Sequence, residues 1–189
     1  MKRVCIQCGS NFGVLPEYRS AAHQLGKTLA LKGFEVVYGG GNAGLMGAVA
    51  EGALEVGGKV IGVIPKAIAE KLDALPISEN HIVEDMHERK SLMFELSDAF
   101  IALPGGFGTL EEILEILTWA QLGYHGKPAG ILNVCNYFDK LIEFLSQSVS
   151  QGFIKATHFE MLQIGNSVEE LLEKFRVYQA PQEDKWLYR

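Results

Sequence analysis

Two periods of hydrophobicity take turns along this chain. Short, nearly unbroken apolar runs alternate with longer stretches in which apolar residues return every three or four positions. The short runs are KRVCIQC (2–8), FEVVY (34–38), KVIGVIP (59–65), residues 98–103 and AGILN (129–133). A further short strand is expected near 161–164. The longer stretches predict helices over 17–32, about 45–57, 87–97, about 109–122, 137–151 and about 168–176. Gly33, the pair Gly57–Gly58, and Gly123 stop three of these helices. Residues 66–85 are the least regular part, with a short helix and a short strand near HIVE (81–84).

Strands that are apolar on both faces, each followed by an amphipathic helix, describe a parallel sheet covered on both sides. The expected fold class is therefore α/β: a Rossmann-like, doubly wound parallel β-sheet with helices on both faces. At 189 residues, one domain over 1–189 is the expected organisation. In such folds ligands bind beyond the carboxyl ends of the strands. Three glycine-rich segments fall there: CGSNFG (8–13), GGGNAGLMG (39–47) and PGGFGT (104–109).

The stretch ALPGGFGTLEE (102–112) concentrates the candidate chemistry. Glycines let backbone N–H groups approach a ligand with no Cβ in the way. A helix starting near Thr109 would aim free N–H groups and its positive dipole end into the turn, which makes an anion site suited to phosphate. Equally, Thr109-Leu110-Glu111-Glu112 fits a capping box, with Thr109 as N-cap and Glu112 at N3. GGGNAGLMG contains a G-x-G-x-x-G at Gly39, Gly41 and Gly44 between a strand and a helix. It follows the second strand, and the next strand ends without the acid that holds a ribose, so a second wall of a nucleotide pocket is favoured over a dinucleotide site. In MHERK (86–90), Arg89 and Lys90 fall in the first turn of a helix, where cations oppose the dipole. Glu111, Glu112 and Glu115 cluster at one helix start, within reach of a pairing with Arg89. Ser10 follows a strand, but no nucleophile elbow surrounds it.

Charge and cysteines narrow the field. The formal net charge is −6 with no basic block, which disfavours nucleic acid and gives no membrane-surface signal. No apolar run approaches the roughly 18–20 residues of a membrane span, and the N-terminus is too short in apolar residues for a secretory signal, so a cytoplasmic location is expected. Cys5 and Cys8 form a C-x-x-C inside a predicted strand, where they would point to opposite faces about 10 Å apart. They read as inert, and Cys135 with scattered histidines does not complete a metal site. His81, His87, His125 and His158 read as ordinary polar histidines.

Taken together, GGGNAGLMG, MHERK, LPGGFGTLEE and TWAQLGYHGKP resemble the LOG (Lonely Guy) family of cytokinin riboside 5′-monophosphate phosphoribohydrolases. The family signature PGG-x-GT-x-x-E is complete in Pro104, Gly105, Gly106, Gly108, Thr109 and Glu112, with Phe107 where many members have Tyr. The resemblance runs to about residue 155. It implies a Rossmann-like homodimer that hydrolyses the N-glycosidic bond of a nucleoside 5′-monophosphate to free base and ribose 5-phosphate, with no cofactor or metal. It also implies that Arg89 and Glu112 are catalytic, and that Lys90, the turn 106–109 and Thr118 contact substrate. Gly105, Glu111, Ser10 and Gly41 complete the expected binding surface, and Met86, Met93 and Leu103 are candidates for the wall beside the base. An acid before the arginine segment, Glu70, Asp73 or Glu79, is a further candidate contact. Arg89 is expected to hold Glu112 ionised. A non-catalytic carrier of a phosphorylated pterin, as for molybdenum cofactor, is the alternative on the same fold.

Overall fold

A computed structural model describes residues 1–70 and 77–181. Among the described residues, seven parallel strands form one sheet in the order β4-β3-β2-β1-β5-β6-β7. The strands are β1 (Arg3–Gln7), β2 (Glu35–Tyr38), β3 (Val60–Pro65), β4 (Glu79–Val83), β5 (Ala99–Ala102), β6 (Ala129–Leu132) and β7 (Leu162–Gly165). The helices are α1 (Pro16–Leu31), α2 (Gly44–Glu55), α3 (Lys66–Ala69), α4 (Met86–Leu96), α5 (Phe107–Gln121), α6 (Asp139–Ser150), α7 (Ala156–Phe159) and α8 (Val168–Val177).

Side chains leave a strand on alternate faces, so each central strand serves two cores. Val4 and Ile6 of β1 pack with α1, α2 and α8, whereas Cys5 packs with α4, α5 and α6. Val36 and Tyr38 of β2 share the first core and Val37 the second. The expected Rossmann-like class is what the chain adopts. β1 lies between β2 and β5, so the winding direction reverses at the C-terminal ends of β1 and β5. The chain reaches β5 from the outer strand β4 through α4, which lays that helix across the sheet towards the reversal point.

Two helix starts differ from the sequence pattern for a local reason. α5 starts at Phe107, two residues before the expected Thr109, because Gly106 takes the N-cap position. α6 starts at Asp139 instead of 137. There the Asn133 side chain accepts from the Phe138 N–H at 2.8 Å and donates to Asp139 at 2.7 Å, holding a separate turn over 134–136. Cys8 falls just outside β1, and the short helix α7 interrupts the approach to β7. Asp73 lies outside the described residues.

Candidate active site

The three glycine-rich turns meet at the reversal point. The Gly9 N–H donates to the Pro104 carbonyl at 3.0 Å, and the Leu45 N–H donates to the Gly9 carbonyl at 3.0 Å. One residue thus ties the ends of β1, β5 and α2 together. Gly44 has φ +59, and a Cβ there would sit 2.3 Å from the Ser10 carbonyl carbon. Only glycine gives this approach at this backbone angle. Above the turns opens a cleft of about 490 Å³, lined by Ser10, Tyr18, Arg89, the stretch Gly105–Thr109, Glu112 and Tyr137 among others.

Two helices supply side chains to this cleft, and their N-termini are provided for differently. α4 is capped by its own carboxylate: Asp85 accepts from the N–H groups of His87 and Glu88. α5 has no side-chain cap. Its Leu110 N–H donates to the Gly106 carbonyl, while the N–H groups of Gly106, Phe107, Gly108 and Thr109 find no acceptor among the described residues. Four unpaired donors and a positive helix end therefore lie together on residues that line the cleft. Thr109 is buried and does not cap the helix, so the capping-box reading does not hold. A Cβ on Gly105 would strike the Thr109 hydroxyl at 2.1 Å, so the bare Gly105 leaves room for Thr109 beneath the turn.

With α5 starting at 107, Glu112 is the sixth residue of the helix and faces α4. The Arg89 guanidinium donates through Nη1 to Glu112 Oε1 at 3.1 Å and through Nε to the Val63 carbonyl at 3.3 Å. Both side chains are about nine-tenths buried. Arg89 comes from the fourth position of α4, with its own N–H bonded to the Asp85 carbonyl, so it stands beyond the first turn where a cation would oppose the dipole.

Comparison with known proteins places this arrangement. Residues 46–175 match the family model described as possible lysine decarboxylase. A probable cytokinin riboside 5′-monophosphate phosphoribohydrolase of Oryza sativa subsp. japonica is 48% identical, over 93% of this chain and 79% of that one. A cytokinin riboside 5′-monophosphate phosphoribohydrolase of Arabidopsis thaliana is 45% identical, over 97% of this chain and 86% of that one. The chain belongs to the LOG family. The solved structure of a molybdenum cofactor binding protein from Rippkaea orientalis shares the fold, with a TM-score of 0.69 at 22% identity over 93% of this chain and 96% of that one.

Not every residue marked on this LOG-family sequence reaches the cleft. Ser10, Arg89, Gly105, Gly106, Phe107, Gly108, Thr109 and Glu112 line it. Met86 sits at its rim, its sulfur 3.9 Å from Arg89 Nη1. Gly41 is buried below the turn, and Leu103 is wholly within the core beside α1 and α2. The Lys90 ammonium is engaged by Glu111 and, at 3.0 Å, by Glu115, and it borders a small cavity behind Glu112. Thr118 lies three turns along α5, its hydroxyl donating to the Leu114 carbonyl at 2.7 Å, in a separate hollow with Leu117 and His158. His158 is buried there, which its sequence context did not indicate. Glu79 pairs with Lys59 and His81, away from the cleft. Among the described residues no cluster of three or more His, Cys, Asp or Glu offers a metal site.

The LOG-family cleft also has an aromatic wall absent from the sequence reading. The Tyr18 and Tyr137 rings meet edge to face, 5.7 Å between centroids, with Leu45 and Met46 across the opening. Tyr18 was legible as the first-turn aromatic after a glycine-rich loop. Tyr137 was not, because its position depends on the turn that Asn133 builds.

Electrostatics correct one expectation. Burial pushes the Glu112 carboxyl above its ordinary range, and the Arg89 charge only partly opposes this. Glu111 and Glu115 nearby push the same way, and Lys90 opposes them. Burial likewise pushes the Cys5 and Cys8 thiols up, which keeps them unreactive.

Proposed function

We propose that this chain hydrolyses the N-glycosidic bond of nucleoside 5′-monophosphates, AMP and N6-modified AMP such as cytokinin riboside 5′-monophosphate, to free base and ribose 5-phosphate. The relatives named as phosphoribohydrolases support the reaction class. The observation that carries it on this chain is the buried Arg89–Glu112 pair, set beside a helix N-terminus with no side-chain cap.

In this reading the N–H groups of 106–109 hold the 5′-phosphate, and that remote binding energy places the anomeric carbon beside Glu112. Cleavage builds positive charge on the ribose. The Glu112 carboxylate stabilises it and takes the proton of an attacking water. A carboxyl whose pKa is raised by burial is a better proton acceptor than an ordinary one. Arg89 orients Glu112, and Tyr18 with Leu45 and Met46 receives the base. The expected contacts at Lys90 and Glu111 belong to this proposal in an indirect form, as they tune the charge around Glu112; Thr118, three turns along α5, is left out of it.

The lysine decarboxylase description fits the site less well. Among the described residues no lysine lines the cleft, and Lys90 is held as an ammonium by two carboxylates: burial lowers its pKa, but the hydrogen bonds and charges of Glu111 and Glu115 together raise it. The carrier alternative would need no buried acid at the anomeric position. Incubation with AMP and with N6-isopentenyl AMP separates them: release of free base and ribose 5-phosphate supports hydrolysis, and recovery of intact nucleotide refutes it. A second copy of this chain is the proposed partner. Its proposed contact is the flank where Leu114 and Leu117 of α5 stay only half-buried and Phe144 is 62% exposed. Among the described residues no helix is long and apolar enough to cross a membrane, and a cytoplasmic location remains part of the proposal.

A further inference from the structure

The peptide between Gly105 and Gly106 can face two ways, and its direction decides what the cleft offers. The Tyr137 hydroxyl donates to the Gly105 carbonyl at 2.6 Å. In a trans peptide the carbonyl and the following N–H point in opposite directions. A Gly105 carbonyl turned to Tyr137 therefore sends the Gly106 N–H the other way, alongside the free donors of Phe107, Gly108 and Thr109. The reverse orientation would place a carbonyl oxygen among those donors, where it repels an anion. Two consecutive glycines at 105–106 lack the Cβ atoms that would bias this choice.

Tyr137 is delivered with care for this one contact. Cys135 and Asn136 stand just before it at φ 50 and 60, a left-handed backbone that side chains rarely adopt. The Asn133 side chain bonds across the turn to Phe138 and Asp139. The Tyr137 ring is held edge-on by Tyr18 at 5.7 Å and Phe138 at 5.0 Å between centroids.

We propose that Tyr137 is a positioning residue that sets the Gly105–Gly106 peptide for phosphate, and so governs affinity for the phosphorylated sugar without taking part in bond cleavage. This rests on the nucleotide reading of the cleft.

The test is Tyr137→Phe, which keeps both ring contacts and removes only the hydroxyl. It uses steady-state AMP kinetics and calorimetric titration of ribose 5-phosphate, on wild type and variant. The expected result is a rise of about tenfold in KM for AMP and in Kd for ribose 5-phosphate, the scale of one lost charge-assisted contact, with kcat within threefold. A merely structural role would lower kcat or melting temperature and leave Kd alone. That result, or unchanged constants throughout, overturns the proposal. If wild type binds ribose 5-phosphate without hydrolysing AMP, the hydrolase reading fails by itself, and the Kd comparison still decides the role of Tyr137. Absence of ribose 5-phosphate binding by wild type overturns the proposal as well.

Discussion

Gly39 and Arg89 compete for one space. A Cβ added to Gly39 would lie 2.1 Å from Arg89 Nη2, so the guanidinium crosses the end of β2 only because residue 39 has no side chain. The strand end, which binds nothing itself, thereby fixes the path of Arg89 to Glu112.

Gly39→Ala is expected to fold, because Gly39 has no positive φ and the obstructed atom ends a flexible side chain. It displaces Arg89 from Glu112, and turnover of AMP should fall by about 100-fold, the scale for misplacing a group by an ångström. Melting temperature should move by only a few degrees. Full activity in this variant would show that the Arg89–Glu112 contact is dispensable.

Glu112→Gln keeps an acceptor for Arg89 and removes the exchangeable proton. Ribose 5-phosphate binding should persist while turnover drops by roughly 100-fold or more. Near-normal hydrolysis would exclude Glu112 as the base.

The acidic limb of kcat/KM should report Glu112. Burial raises its pKa, so the active carboxylate is lost at a pH above the ordinary carboxylate range as the medium is acidified. Glu111→Gln removes a neighbouring negative charge that raises the Glu112 pKa, so the limb should move to lower pH. A limb that stays in place or moves upward would mean that another group titrates.

A stability test lies at the opposite end of the sheet. Glu35 on β2 accepts from Arg3 Nε at 2.8 Å and lies 3.0 Å from Lys2 Nζ, and the Arg3 hydrogen bond leads in lowering its pKa. A depressed carboxyl stabilises the fold above its unfolded pKa and loses that contribution as pH falls through the folded value. Glu35→Gln should cost about 1 kcal/mol at pH 7, with the difference from wild type fading in acid below the usual carboxylate range. Denaturant titrations at pH 7 and pH 3 check this; equal differences at both would rule out the ionic origin.

What could be read from the chain, and what could not, divides by range. β1, β2, β3, β5 and β6 are apolar on both faces, so the covered parallel sheet was legible from local pattern alone. The turn 104–109 was legible too, because clustered glycines before an amphipathic helix have few structural uses. Thr109 was misassigned because the capping-box pattern ignores Gly106, which can take the N-cap without a side chain. Arg89 and Glu112 were marked by family resemblance, but their separation from Lys90 and Thr118 depends on the rotation of α5 against α4. The direction of the Glu112 pKa shift was misjudged for the same reason: charge proximity is visible in a motif, while burial is visible only in the folded molecule.

The double hydrogen bond of Gly9 has a consequence for how the protein can change. Gly9 clasps the ends of β5 and α2 at once, so the three loops form a single hydrogen-bonded plate. Selection for a different base or a different phosphate ester cannot relax one loop alone. New specificity is more readily found in the aromatic side chains hung around the plate than in the plate itself.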